Sequence, residues 1–180
     1  MLKPTSTLLK AIACSWLRYK RQCPIVFTER QLGYSGGGVA DVMALSKDRR
    51  LIEVETKITL HDFKKDVSKR KWKWQEYSSG GYYDHFIPSQ FYYLVPPKLV
   101  EKVMPLLDKD KGLLSYKEDE LFSEHNKYTN LPELIVIKPC KVNHRNKMPI
   151  KHMIEIVRHQ SGTVCSLFNK LAKIEQNRAK

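Results

Sequence analysis

The chain of 180 residues carries 32 lysine and arginine residues against 19 aspartate and glutamate residues, a formal net charge of +13. Hydrophobic residues make up 42% of it, which is enough to bury a core without disulfide bonds and excludes an intrinsically disordered chain. The positive charge favours a polyanionic partner, most simply nucleic acid, with an anionic membrane surface second.

Cysteine spacing and the N-terminal segment indicate the compartment. The four cysteines contain no CxxC pair, which fits neither a zinc site nor a small disulfide scaffold. Reduced thiols are therefore expected. The first 17 residues are interrupted by Lys10 and lack a cleavage site, so they predict a helix rather than a signal peptide. No apolar run approaches transmembrane length, and we expect a cytoplasmic protein that does not associate with membranes.

The N-terminal half is predicted to form a helix, three strands and a second helix. The first helix is capped by Thr5 or Ser6 and runs to about Arg21. Its predicted buried face holds Leu8, Ile12, Trp16 and Tyr19. The predicted strands cover about residues 24–32, 40–45 and 50–58. The second helix is predicted from Thr59 to about Tyr77.

The C-terminal half continues the alternation of strands and helices. The predicted strands cover residues 90–95, 112–116 and 134–137, and the predicted helices cover residues 97–107 and 148–176, the last broken near Gly162. This order predicts an α/β fold with a mixed sheet. We expect one domain over residues 1–180, with a core at about 24–140 and a helical C-terminal part at about 148–176.

The second helix is the predicted nucleic-acid surface. Thr59 and Asp62 are spaced like a capping box, and the inward stripe is Leu60, Phe63, Val67, Trp74 and Tyr77. Its basic residues are predicted to contact phosphates: Lys64, Lys65, Lys69, Arg70 and Lys73. Trp72 stacks on a base, packs at a subunit contact, or covers the core. The alternative for the whole helix is a solvated charged face.

The segment 51–57 carries the strongest chemical signal. Alternation along a strand places Glu53, Glu55 and Lys57 on one face. A neighbouring strand begins near Asp41, so carboxylate oxygens can bind a hard cation there. The lysine can then orient or deprotonate a water that attacks a phosphodiester. The alternative is a surface hairpin with a cross-strand salt bridge.

Two expectations about stability follow from that interpretation. A lysine at a strand end that faces a polar cleft supports little packing, so Lys57→Ala should spare the fold. Two adjacent carboxylates repel each other, so Asp41→Asn and Glu55→Gln should relieve repulsion and raise thermal stability.

Asp41 followed by Glu55-Thr56-Lys57 after a hairpin resembles the signature of the PD-(D/E)XK nuclease superfamily, with Ala40 in place of the proline. The surrounding sequence resembles the MmcB-like DNA-repair branch of that superfamily. The similar segments are 54–63, a basic helix that ends at 70–72, and 91–97. The resemblance extends over about residues 27–116.

The resemblance implies a restriction-endonuclease-like fold, a central mixed β-sheet flanked by helices. It implies a metal-dependent DNA nuclease in DNA repair, recombination or phage DNA processing. Asp41 and Glu55 would hold Mg²⁺ or Mn²⁺, and Lys57 would be the catalytic lysine. Glu29 is either a further metal ligand or a solvated strand charge, and for Glu53 an outer-edge charge is preferred over a ligand. The alternative function is a catalytically weak or inactive nucleic-acid-binding module of the same fold.

Overall fold

The computed structural model describes residues 4–31, 39–66, 87–118, 131–143 and 146–178. The chain divides into two compact units, Met1–Lys147 and Met148–Lys180. Among the described residues, no helix combines the length and the apolar character that crossing a lipid bilayer requires.

A six-stranded sheet forms the centre of the first unit. Its strands are β1 (Ile25–Gln31), β2 (Val39–Leu45), β3 (Leu51–Thr56), β4 (Gln90–Leu94), β5 (Gly112–Tyr116) and β6 (Leu134–Lys138). The strands lie side by side in chain order. β1, β2 and β3 are antiparallel neighbours, β4 pairs in parallel with both β3 and β5, and β6 is antiparallel to β5. The predicted α/β fold with a central mixed sheet flanked by helices is confirmed.

Helical segments cover both faces of this sheet. They are α1 (Ser6–Ser15), α2 (described residues 60–66) and α3 (Val100–Val103), which has a 3₁₀ turn on either side (Pro97–Leu99 and Met104–Leu106). α1 packs on the face that presents Ile52 and Val54. Phe63 of α2 and Val103 of α3 pack with Phe91 on the opposite face. β3 lies inside the sheet, and all six of its residues are buried.

The first helix begins as predicted and ends differently. The Thr5 hydroxyl accepts a hydrogen bond from the Leu8 N–H at 3.1 Å, which caps the helix. A π-helical turn follows at Trp16–Lys20. Its wider turn changes the angular position of the side chains, and Tyr19, predicted to be buried, is 46% exposed. The buried face is instead formed by Leu9, Ile12, Ala13, Trp16 and Leu17.

The second unit is built on α4 (Ile150–Arg178), a helix of 29 residues. The predicted break near Gly162 is wrong, because the helix continues through it. Among the described residues, a β-carbon at Gly162 would meet nothing within 4 Å, so close packing against them does not explain this glycine. A single glycine lowers the stability of a helix by only about 1 kcal/mol relative to alanine, and a helix of 29 residues can form despite that loss.

Candidate functional site

The antiparallel pairing of β2 and β3 brings the two central carboxylates together. Val42 pairs with Val54, so Asp41 and Glu55 lie one residue further along, at the same end of the two neighbouring strands. The backbone N–H of Asp41 donates to Glu55 Oε2 at 3.5 Å. Two side chains separated by a hairpin in the sequence are therefore neighbours in space.

Thr56, the middle residue of the Glu-Thr-Lys motif, holds Asp41 in place. Its backbone N–H and its hydroxyl donate to Asp41 Oδ2 at 2.8 and 2.7 Å. Two hydrogen bonds to one carboxylate oxygen fix the orientation of that carboxylate. The sequence interpretation missed this role, because it assigned functions only to the charged residues of the motif.

Lys57 lies between two carboxylates. Its Nζ is 2.9 Å from Glu55 Oε1 and 3.2 Å from Asp66 Oδ1. The Tyr93 hydroxyl donates to Asp66 Oδ2 at 3.0 Å, which ties this carboxylate to β4. Asp66 was missed from the sequence. The available signal was its position four residues after Asp62, on the helix that directly follows the motif.

The surroundings of Lys57 decide its protonation state. Burial alone lowers its pKa, but the charges of Glu55 and Asp66 outweigh burial and raise the pKa above its ordinary value of 10.5. The side chain is therefore an ammonium at neutral pH. It can donate hydrogen bonds and stabilise negative charge, but it has no free lone pair with which to deprotonate a water.

Lys10 of α1 forms a second ammonium contact at the same end of these strands. Its Nζ is 2.8 Å from Glu29 Oε1 and 3.2 Å from Asp41 Oδ1. Glu29 occupies the register position opposite Asp41, and its φ of 52° interrupts the backbone pairing there. Burial lowers the pKa of Lys10, whereas Glu29 and Asp41 raise it above 10.5 with the larger combined effect. Sequence reasoning noted Lys10 only as an interruption of the apolar N-terminal segment and gave it no part in the site.

The structure contradicts one alternative and two premises of the sequence interpretation. The motif is not a surface hairpin, because Glu55 is 6% exposed on an interior strand. Lys57 is not a loosely packed strand end, since its side chain is 12% exposed and bridges two carboxylates. Asp41 and Glu55 do not face each other as bare charges, because each contacts an ammonium. Neutralising either one removes an ion pair rather than a repulsion.

Of the remaining predicted site residues that the structure describes, one lines the cleft beside Asp41, Glu55 and Lys57 and others do not. Glu53 is 2% exposed, pairs in register with Phe91, and is not among the described residues that line the cleft. Lys64 and Lys65 are exposed on α2, and Lys65 lines the cleft. The other predicted phosphate contacts lie outside the described residues: Lys69, Arg70, Trp72 and Lys73.

An open cleft of about 340 Å³ connects these groups. Its described lining consists of Ser6, Asp41, Glu55, Thr56, Lys57, Ile58, Asp62, Lys65 and Asp66. Four carboxylates and two ammonium groups give this lining a net charge of −2, in a chain whose net charge is +13. A negative cleft in a positive protein attracts small cations.

Oxygen donors of this kind suit Mg²⁺ or Mn²⁺. Mg²⁺ is commonly bound by one or two carboxylates while it keeps several waters, and the open cleft leaves room for them. Asp41 and Glu55 therefore fit such an ion. Within the described ranges, no three His, Cys, Asp or Glu side chains are grouped so as to hold a metal ion together.

Comparisons with known proteins bear on the fold. No family model matches the chain, and no curated protein matches it. A solved structure described as SPO1766, a protein of unknown function from Silicibacter pomeroyi, is similar with a TM-score of 0.57 and 16% sequence identity. The similarity covers 97% of this chain and 96% of that one. At this level of identity it shows a shared fold.

The raised pKa of Lys57 predicts how stability depends on pH. A folded-state pKa above the unfolded value means that the ion pairs stabilise fully below pH 10.5 and are lost as pH rises through the higher folded-state value. Lys57→Met should lower the free energy of unfolding by about 1–3 kcal/mol at neutral pH, because it leaves carboxylates without their partner. Denaturant titrations should show this deficit shrinking in strong alkali. Lys64→Met, at an exposed position of α2, is the control. A loss of stability in Lys57→Met that does not depend on pH would contradict the assignment of Lys57 to these ion pairs.

Proposed function

We propose that this protein is a metal-dependent deoxyribonuclease of the PD-(D/E)XK type, closest to the MmcB-like DNA-repair family. It would hydrolyse phosphodiester bonds in DNA repair, recombination or phage DNA processing, in the cytoplasm. The observation that carries the proposal is the meeting of Asp41, Glu55 and Lys57 in one open, negatively charged cleft.

Each residue of the cleft has a role under this proposal. Asp41 and Glu55 would hold Mg²⁺ or Mn²⁺, which supplies Lewis acidity at the phosphate and lowers the pKa of a bound water. Thr56 keeps the Asp41 carboxylate in a single orientation. Lys57, an ammonium fixed by Glu55 and Asp66, donates to the attacking water or to the phosphoryl oxygens as negative charge develops.

The strong positive charge outside the cleft supports a nucleic-acid partner. α2 begins three residues after the motif, its Lys64 and Lys65 are exposed, and Lys65 lines the cleft beside the proposed metal ligands. Ammonium groups beside a catalytic cleft can neutralise phosphates and hold the backbone over it. RNA offers the same phosphates, and both nucleic acids are therefore compared in the experiments below.

One observation favours a second function, a nucleic-acid-binding module of the same fold with weak or no catalysis. Asp41 and Glu55 already contact lysine ammonium groups, Lys10 and Lys57 respectively. The charges of these two carboxylates are therefore compensated within the chain. A fold that has lost its metal would keep the basic surface and bind nucleic acid without cutting it.

Metal dependence separates these two functions. The purified chain should cleave DNA with Mg²⁺ or Mn²⁺, whereas Ca²⁺ should permit binding with little turnover, because the chemistry needs the tighter geometry of the smaller ions. Gel assays on linear, single-stranded and branched DNA and on RNA, each with and without EDTA, measure this. Full activity in excess EDTA would rule out the mechanism. Binding with no cleavage under any metal would favour the binding module.

Charge reversal on α2 tests the proposed DNA path. The double variant Lys64→Glu/Lys65→Glu should weaken DNA binding across sequences and flatten the slope of log affinity against log salt by about one unit per lost phosphate contact. Fluorescence anisotropy at several salt concentrations measures both. The control Lys98→Glu/Lys102→Glu makes the same charge change at exposed positions around α3, which are not among the cleft-lining residues. Equal effects in both variants would leave only a general charge effect.

A further inference from the structure

Lys10 contacts the site from a helix that no sequence motif connects with it. Its ammonium nitrogen lies 2.8 Å from Glu29 Oε1 and 3.2 Å from Asp41 Oδ1, so one positive charge joins two carboxylates of neighbouring strands. We propose that Lys10 is a built-in cation, which fills a position between Glu29 and Asp41 that a divalent metal ion would otherwise occupy. In the part that concerns catalysis, this inference rests on the proposed nuclease function.

The backbone of β1 and β2 brings the two carboxylates together. Glu29 lies opposite Asp41 in the register of β1 and β2, between the pairs Thr28–Val42 and Arg30–Ala40. Non-glycine residues seldom adopt the left-handed conformation seen at Glu29, and such residues are enriched at functional sites. The two carboxylates converge on one point between the strands and α1.

The α1 helix holds Lys10 at that point. Leu9 and Ile12 are buried in the core on either side of it, so the backbone of Lys10 has little freedom. Ser6, one turn earlier, lines the cleft, and the Lys10 side chain is only 20% exposed. Because the Lys10 side chain is mostly buried and contacts two carboxylates, it samples fewer rotamers than a lysine on the surface, and its ammonium stays beside Asp41.

An ammonium and a divalent ion cannot share this position. Both would need the same carboxylate oxygens, and two cations a few ångströms apart repel each other strongly in a partly buried site. Asp41 would then share one ion with Glu55 on one side, while Lys10 supplies the charge on the other. Under the proposed function, the protein binds one metal ion at Asp41 and Glu55, because the Lys10 ammonium occupies the second position, between Asp41 and Glu29.

Counting bound metal ions tests this without any measurement of activity. Mn²⁺ bound per chain is measured by electron paramagnetic resonance of the free ion and by calorimetry, up to millimolar Mn²⁺. Lys10→Met keeps most of the side-chain stem and removes the charge, and it should bind one more Mn²⁺ than the wild type. Lys10→Met/Glu29→Gln should lose that additional ion. Lys102→Met removes a charge at an exposed position of α3 and should bind the same number as the wild type.

The outcomes distinguish this inference from the proposed function. An equal count of Mn²⁺ in the wild type and in Lys10→Met overturns the inference about Lys10. If that count is one, the nuclease proposal still stands. If it is zero, the result argues against the nuclease proposal as well. Zero in the wild type and one in Lys10→Met supports the inference while favouring the binding module. Circular dichroism verifies folding, and Lys10→Gln, which keeps a polar group beside the carboxylates, replaces Lys10→Met if that variant does not fold.

Discussion

Asp41→Asn and Glu55→Gln should each reduce the rate of DNA cleavage by roughly 10²–10³-fold or more, while DNA binding is retained. Each substitution preserves the shape of the side chain and removes the negative charge that would hold the metal ion. Phosphate contacts and metal chemistry are separate steps, so affinity for DNA should change little. Single-turnover cleavage and anisotropy, measured on the same preparations, separate the two effects.

Glu53→Gln is the matched control for these variants. Glu53 lies on the same strand and the same face as Glu55, two residues earlier, but it is not among the described residues that line the cleft. Its substitution should leave most of the cleavage activity intact. Thermal unfolding is measured for all three variants, because each alters a partly or fully buried carboxylate. Cleavage at the wild-type rate in Asp41→Asn would remove Asp41 from the mechanism.

Lys57→Met should lower the rate constant of cleavage by about 10²–10³-fold, with a smaller effect on the Michaelis constant. The ammonium acts on charge that develops during the reaction, so its loss is felt in the transition state more than in the bound ground state. Asp66→Asn should cause a smaller loss, since Lys57 keeps Glu55 but loses one of the two carboxylates that position it. Steady-state kinetics on a defined oligonucleotide measures both.

The control for this comparison is Lys65→Met. Lys65 lines the same cleft from α2, and its proposed role is phosphate binding. Its substitution should raise the Michaelis constant and leave the rate constant nearly unchanged. If Lys57→Met showed that same pattern, Lys57 would be a binding residue. If Asp66→Asn had no effect, the carboxylate on α2 would have no part in positioning Lys57.

Local sequence pattern was sufficient for the strands and for the central motif. Residues 112–116 were predicted as a strand, and the structure has β5 at Gly112–Tyr116. Alternation alone correctly placed the Glu55 carboxylate and the Lys57 ammonium near each other. Such features depend on neighbours in the chain, and they can therefore be read from a short window.

The support around the motif could not be predicted, because it comes from residues distant in the chain. Lys10 reaches Asp41 across 31 positions, and Tyr93 reaches Asp66 across 27. Those contacts need the packing of α1 and the parallel pairing of β4, which no local pattern specifies. The wrong assignment of Tyr19 has a local cause, since a π-helical turn leaves no clear mark in hydrophobic periodicity.

The strand order of the sheet has a consequence for how the chain is made. Because the strands lie in chain order, each strand can add to the edge left open by the one before it as the protein leaves the ribosome. The exception is a delay after β3, since residues 57–89, 33 in all, must be synthesised before β4 can cover its edge. During that interval the unpaired backbone N–H and C=O groups along the open edge of β3 are exposed to other nascent chains. Glu53 and Glu55 place two negative charges on that strand, and like charges on neighbouring chains oppose edge-to-edge aggregation.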